Sequence, residues 1–225
     1  MLISLLFDMD GCLIDSLEVQ KAAFFGSYAL VVGDDKCPSF EEYMKFTGDS
    51  VDNVFRKMGL PAEMAPIYRE ISENSNDKIH IYWDAINIIR ELRKIGVKVA
   101  ICTGKDHYRA EAILKYFEIE PCFDVIIGAE DVTYPKPSPE PILRALDCLK
   151  SDKADAVLIG DGYNDILSAK RAGVRSILTL WYGNQSVPRE ADYTVSNVEE
   201  LKTVLSTMFT VLKNIWVTSH ERSYL

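Results

Sequence analysis

Histidine is scarce in this chain, and its cysteines follow no pattern. Three histidines stand in 225 residues, and the five cysteines (Cys12, Cys37, Cys102, Cys122 and Cys148) are odd in number and scattered. No Cys-x-x-Cys pair or Cys/His cluster occurs, so neither a disulfide framework nor a zinc site is implied. Such thiol usage points to a reduced, cytoplasmic protein. No apolar stretch approaches the roughly 20 residues of a membrane span. The apolar start, Met1 to Phe7, lacks the basic leader of a signal peptide. Basic residues are outnumbered 25 to 34, giving a net charge of −9. Nucleic acid needs a basic face, so it is not an expected partner, and neither is a membrane. A small phosphorylated molecule stays compatible, because local positive charge can line a cleft of an acidic protein. There is no internal repeat and no low-complexity segment.

What the chain does have begins with its first strand. Leu2 to Phe7 is apolar except for Ser4 and leads straight into Asp8-Met9-Asp10-Gly11. A short unbroken apolar run of this kind reads as a strand buried on both faces. Asp8 and Asp10 sit two apart, so extended chain carries them to the same side. Two anions that close need a cation, or one of them must hold a proton. Gly11 permits the turn that follows. Cys12, beside this pair, reads as a packed thiol.

From Ser16 to Tyr82 the pattern is helical and contains no strand-like run. Asp15 and Glu18 form a possible capping box. Helices are expected over Ser16–Leu30, Ser39–Phe46, Ser50–Met58 and Pro61–Asn74. Beyond Tyr82, helix and strand alternate. Strands are expected over Val97–Cys102, Asp124–Ile127, Ala154–Ile159 and Arg175–Leu180. A helix capped by Asp84 precedes them, and the chain is expected to be helical from Asn197 onward, extending as an amphipathic tail helix over Val204 to Val217, with Phe209 to Trp216 packing on the domain or on a second copy. This alternation predicts an α/β fold with a parallel five-stranded sheet and helices on both faces. Ligands of such sheets bind beyond the carboxyl ends of the strands.

Three of those strand ends carry chemistry. Asp8, Asp10 and Asp161 form a hard-oxygen set suited to magnesium, and the lack of a histidine among them disfavours zinc or copper. Asp8 could attack phosphorus once a cation relieves anion repulsion, with Asp10 as proton donor and acceptor. Thr103 offers a hydroxyl and Gly104 an open backbone N–H to a phosphoryl oxygen. Lys136 is set between prolines in Tyr134-Pro135-Lys136-Pro137-Ser138-Pro139, which reduces the entropy of aiming one ammonium group. Asp165 fits the first turn of a helix.

Taken together, Asp8-x-Asp10-Gly11, the strand ending in Thr103-Gly104, Lys136-Pro137-Ser138-Pro139 and Gly160-Asp161-x-x-x-Asp165 resemble the four motifs of the haloacid dehalogenase superfamily of phosphohydrolases. The likeness covers nearly the whole chain. It implies a Rossmann-like core, residues 1–15 and 83–225, with a small helical cap domain, residues 16–82, inserted after the first motif. It also implies a magnesium-dependent phosphatase acting on a small phosphorylated metabolite through an aspartyl-phosphate. Asp8 would be the nucleophile and Asp10 the general acid/base. Thr103 and Lys136 would bind the phosphoryl group, Asp161 would complete the metal site, and Asp165 would orient Lys136 or the outer shell of the metal. Cap residues Lys45 and Thr47, with Asp49 and Arg56, flank Gly48 and are candidates for substrate choice; Lys105 and His107 are candidates for the cleft rim. Asp10 disfavours the metal-free dehalogenases, which lack the second aspartate. Gln20 stands where β-phosphoglucomutases have histidine, which disfavours the alternative of a phosphosugar mutase. A non-catalytic protein of the same fold is the other alternative, although every motif residue is present. The overall likeness is greatest to phosphoglycolate-phosphatase-like members and those associated with 3-amino-5-hydroxybenzoate synthesis. Either a monomer or a homodimer is expected.

Overall fold

The structure, a computed structural model, describes residues 3–33, 36–46, 48–181 and 190–212. In chain order they form β1 Ser4–Phe7, β2 Ile14–Asp15, α1 Leu17–Val31, α2 Phe40–Met44, α3 Val51–Lys57, α4 Met64–Glu73 and β3 His80–Ile81. Then follow α5 Trp83–Arg93, β4 Lys98–Cys102, α6 His107–Tyr116, β5 Val125–Ile127, α7 Glu140–Leu149, β6 Ala156–Gly160, α8 Tyr163–Ala172, β7 Arg175–Thr179, β8 Tyr193–Val195 and α9 Val198–Met208.

The main sheet has the order β5-β4-β1-β6-β7-β8, and every pairing in it is parallel. Its central strand is β1. Leu5 and Phe7 point into a core built with Ile86, Ile89 and Leu92 of α5, Ile113 of α6 and Leu201 of α9. Leu6 points the other way, into a second core with Ile142 and Leu146 of α7 and Ala169 of α8. Alternate residues thus serve opposite layers, which is why the strand is apolar from Leu5 to Phe7. Each fully buried leucine or phenylalanine contributes about 1.5 to 3 kcal/mol relative to exposure.

Six strands form the sheet, one more than the sequence pattern suggested. The additional strand, β8, is short, and its Thr194 is exposed while Val195 is buried, so no apolar run announces it. The terminal helix also differs from expectation. It stops at Met208, where Phe209 turns extended, and Phe209 and Leu212 are buried in the first core. The described part of the tail therefore packs on its own domain; residues 213–225 lie outside the described residues.

Helices α1 to α4 form the insert. Its own core consists of Phe24, Tyr28, Tyr43, Val54, Phe55, Met64 and Ala65. Ser39 and Glu42 exchange side-chain and backbone hydrogen bonds across the start of α2. The box proposed for Asp15 and Glu18 is not formed; Asp15 Oδ1 instead accepts from Leu17 N at 2.9 Å. Where the insert joins the sheet, β2 and β3 pair antiparallel, Ile14 with Ile81 and Asp15 with His80. Both connecting chains thus run together as one ribbon.

Candidate active site

Sheet order decides which side chains meet. β1 lies between β4 and β6, so Asp8 at its carboxyl end is flanked by Thr103 from β4 and Asp161 from β6. Chain order departs in opposite directions on either side of β1, the position at which open α/β sheets bind ligands.

Lys136 arrives from the loop between β5 and α7. That loop is held against α8, where Ser168 Oγ donates to Ser138 O at 2.6 Å and Arg171 Nη1 donates to Pro137 O at 2.9 Å. The Lys136–Pro137 peptide is cis. The ammonium of Lys136, 1% exposed, donates to Asp8 Oδ1 at 2.8 Å and to Asp165 Oδ1 at 2.6 Å. The other oxygen of Asp165 accepts from Gly162 N at 3.0 Å, closing the first turn of α8. Asp165 thus fixes both the helix start and the lysine.

Asp8, Asp161 and Asp165 each bring an oxygen within 4.8 Å of the others. Such crowding has an electrostatic consequence. Burial, then Asp165, push the Asp8 carboxyl up to about 7 despite the opposing pull of Lys136. Burial, then Asp8 and Asp165, hold Asp161 well above the usual carboxylate range. For Lys136, burial opposes the charge, yet the two carboxylates hold its pKa above the ordinary lysine value. One buried cation does not neutralise three crowded carboxyl groups. An all-oxygen set short of positive charge fits a hard divalent cation such as magnesium.

Asp10 is turned away from that cluster. Its Oδ1 accepts from Ser16 Oγ, and its Oδ2 pairs with Lys105 Nζ at 2.8 Å. Gln20 Nε2 in turn donates to Ser16 Oγ at 2.9 Å. Gly11, with φ of +73°, makes the turn that follows Asp10, and a Cβ at that position would overlap the Asp161 carboxylate. Thr103 is buried, and its Oγ1 accepts from Lys105 N at 3.2 Å, which leaves the hydroxyl hydrogen to donate.

These groups border a cavity of about 530 Å³ between the sheet and the insert, lined by Asp8, Asp10, Thr103, Gly104 and Asp161 and by Lys45 and Asp49 of the insert. Lys136 does not line it and acts behind Asp8 and Asp165. Thr47 lies outside the described residues. Arg56 faces away, bonded to Asn53. His107 is not on the cavity wall; its ring pairs with Asp131 at 2.6 Å. Cys12 is fully buried and burial raises its pKa, as expected of a packed thiol. All five cysteines are free.

Sequence reasoning missed Arg69, Arg109 and the hydroxyl pair Tyr43–Tyr68, all on the cavity wall. For Arg109 a signal existed, a cation four places before Ile113 on the apolar face of α6.

A parallel α/β sheet with a carboxylate cluster, a buried lysine and a hydroxyl at its carboxyl edge defines a class of phosphate-handling hydrolases. Residues 5–179 match the family model described as haloacid dehalogenase-like hydrolase. The chain belongs to that family and is a hydrolase of phosphate esters. It is 30% identical over 207 residues to pyrophosphatase PpaX of Bacillus velezensis, covering 88% of this chain and 94% of that one. To pyrophosphatase PpaX of Bacillus cereus it is 29% identical over 211 residues, covering 91% and 97%. Among solved structures it is similar to CbbY of Rhodobacter sphaeroides in complex with phosphate, with a TM-score of 0.78 and 25% identity over 89% of this chain and 96% of that chain. Among the described residues, no helix is long and apolar enough to cross a membrane.

Proposed function

We propose that the protein hydrolyses a small-molecule phosphate monoester in two steps, with magnesium, through a phosphoryl group carried on Asp8. The observation that carries this reading is the Asp8–Lys136–Asp165 chain beside Asp161 at the carboxyl end of β1. Magnesium, when bound by Asp8 and Asp161, supplies positive charge that lets an anionic nucleophile approach an anionic phosphoryl group. Asp8 presents the nucleophilic oxygen. Lys136 holds that carboxylate in one orientation and offsets the negative charge that gathers around the phosphoryl group. Thr103 Oγ1 and the open N–H of Gly104 donate to the remaining oxygens.

Asp10 gives a proton to the leaving alkoxide and then takes one from the water that releases phosphate. Ser16 and Lys105 keep its carboxylate in place for both steps. Residues 16–82 act as a cap over residues 1–15 and 83–225. Its loop meets the core at Gly104, where an added Cβ would lie 2.7 Å from Gly48 O. Closure there excludes bulk water from the phosphoenzyme. Lys45, on the cap side of the cavity, is a contact for the non-reacting part of the substrate. The five unpaired thiols support a cytoplasmic location.

The test is a covalent trap. Wild type mixed with magnesium and a phosphomonoester, then acid-quenched, should carry one phosphoryl group on the peptide containing Asp8, and Asp8→Asn should carry none. Release of phosphate with no trappable acyl phosphate, at any quench time, would rule out this route.

A further inference from the structure

The cations on the cavity wall are not equivalent. Lys105 is paired with Asp10 at 2.8 Å. Arg69 is held by Asp106, Nε to Oδ2 at 2.5 Å, and by Asp52. Lys45 is exposed. Arg109 is different, being 3% exposed on α6 with only neutral partners. Its Nε donates to Ser72 Oγ at 3.3 Å, Nη1 to Asn76 Oδ1 at 2.6 Å and Nη2 to Ser72 O at 2.5 Å. Among the described residues, no carboxylate lies within ion-pair distance of it.

A guanidinium has five N–H donors in a fixed fork. Three are used here, which leaves one on each terminal nitrogen. A buried cation without a counter-charge is costly, and neutral hydrogen bonds recover only part of that cost. Burial accordingly lowers its pKa, with Glu73 and Asp10 opposing from further off.

Two more donors stand close by. Tyr43 and Tyr68 share one hydrogen between hydroxyls 2.9 Å apart, and both line the cavity. Whichever of them donates, the other keeps a hydrogen to give. Burial raises the pKa of both, so both stay neutral donors. Tyr68 stands one turn before Ser72 on α4, and Ser72 is the residue that Arg109 bonds, so the phenol pair and the guanidinium border the same part of the cavity. A buried fork and a spare phenol hydrogen, with no acceptor bonded to them among the described residues, complement an anion carrying two accepting oxygens.

We propose that Arg109, assisted by the Tyr43–Tyr68 pair, binds a second anionic group on the substrate, a carboxylate or further phosphoryl group borne away from the ester that Asp8 attacks. The proposal rests on the phosphatase reading and narrows its substrate class to doubly anionic phosphomonoesters. Arg109 thereby becomes a specificity-determining residue. Its bonds to Ser72 and Asn76 also tie α6 to the insert, so the second anion and the closed cleft support one another.

The experiment compares matched pairs. ω-Carboxyalkyl phosphates of graded length, each with its neutral primary amide, and the corresponding α,ω-bisphosphates are assayed with magnesium on wild type, Arg109→Gln and Arg109→Lys. The readout is the ratio of kcat/KM between the anionic and neutral members. For the length that reaches Arg109, wild type should prefer the anion on the order of ten- to a hundredfold. Arg109→Gln should bring the ratio close to one, and Arg109→Lys should retain part of it. A larger ratio for the bisphosphate assigns a phosphoryl group; a larger ratio for the carboxylate assigns a carboxylate. A ratio near one in wild type at every length overturns the proposal while leaving the phosphatase reading intact. An equal fall of both members in Arg109→Gln, with the ratio unchanged, also overturns it, because a clamp between helices acts on both alike. A second arm titrates the same pairs into Asp8→Asn protein with magnesium, with and without Arg109→Gln. Anion preference in binding that disappears with Arg109 supports the proposal even where turnover is absent, and equal affinity for both members refutes it.

Discussion

Lys136 Nζ lies 2.8 Å from Asp8 Oδ1, both side chains almost wholly buried. Removing one partner of a buried pair leaves the other charge uncompensated, at about 3 to 5 kcal/mol. Lys136→Met should therefore lower stability by a few kcal/mol in urea denaturation at neutral pH and abolish turnover. Asp8 and Asp165 can take up protons instead, so the loss should shrink on acidification. A variant as stable as wild type at neutral pH would show that the pair is not buried in solution.

The raised pKa of Asp8, about 7 against an unfolded value near 4, fixes the sign of a pH effect. Between those values the folded protein binds more protons than the unfolded chain, so stability falls as pH rises. Asp161 shifts in the same direction. Metal-free protein in chelator should gain stability as pH falls from about 7 toward 5, by at most about 1.4 kcal/mol per pH unit for each proton taken up. Magnesium should flatten this dependence, and Asp8→Asn should reduce it. Thermal melts across pH, with and without magnesium, measure both.

Gly11 carries a positive φ against the Asp161 carboxylate. Gly11→Ala should cost about 1 to 2 kcal/mol for the backbone alone. It should also displace Asp161, so weaker magnesium affinity by calorimetry is expected beyond the loss of stability. Unchanged affinity would remove Asp161 from the metal set.

Asp10 is held by Ser16 and Lys105. Lys105→Met should lower kcat on the order of ten- to a hundredfold, because a misplaced general acid loses part of its typical contribution. Substrate affinity should change less. A pure KM effect would instead make Lys105 a substrate contact.

The sequence made the sheet legible where burial was two-sided. Leu5, Leu6 and Phe7 serve two cores, and that demand writes an apolar run. It was silent at β8, where Thr194 is exposed and only Val195 is buried. Asp8, Asp161 and Lys136 were legible because strand ends and proline-framed loops single them out. The direction of Asp10 was not, since Lys105 and Ser16, itself bonded by Gln20, converge on it only after the turn at Gly11 folds. Arg109 was hidden for a related reason. Its partners Ser72 and Asn76 come from the insert, more than thirty residues away, and its burial exists only once α4 docks on α6.

Phosphate release tests the central claim most directly. A panel of small phosphomonoesters is incubated with wild type and Asp8→Asn, with magnesium and with chelator. The account predicts release by wild type in magnesium, little in chelator, and a fall of at least about a thousandfold in the variant. Equal release by both proteins, or release indifferent to magnesium, would contradict it.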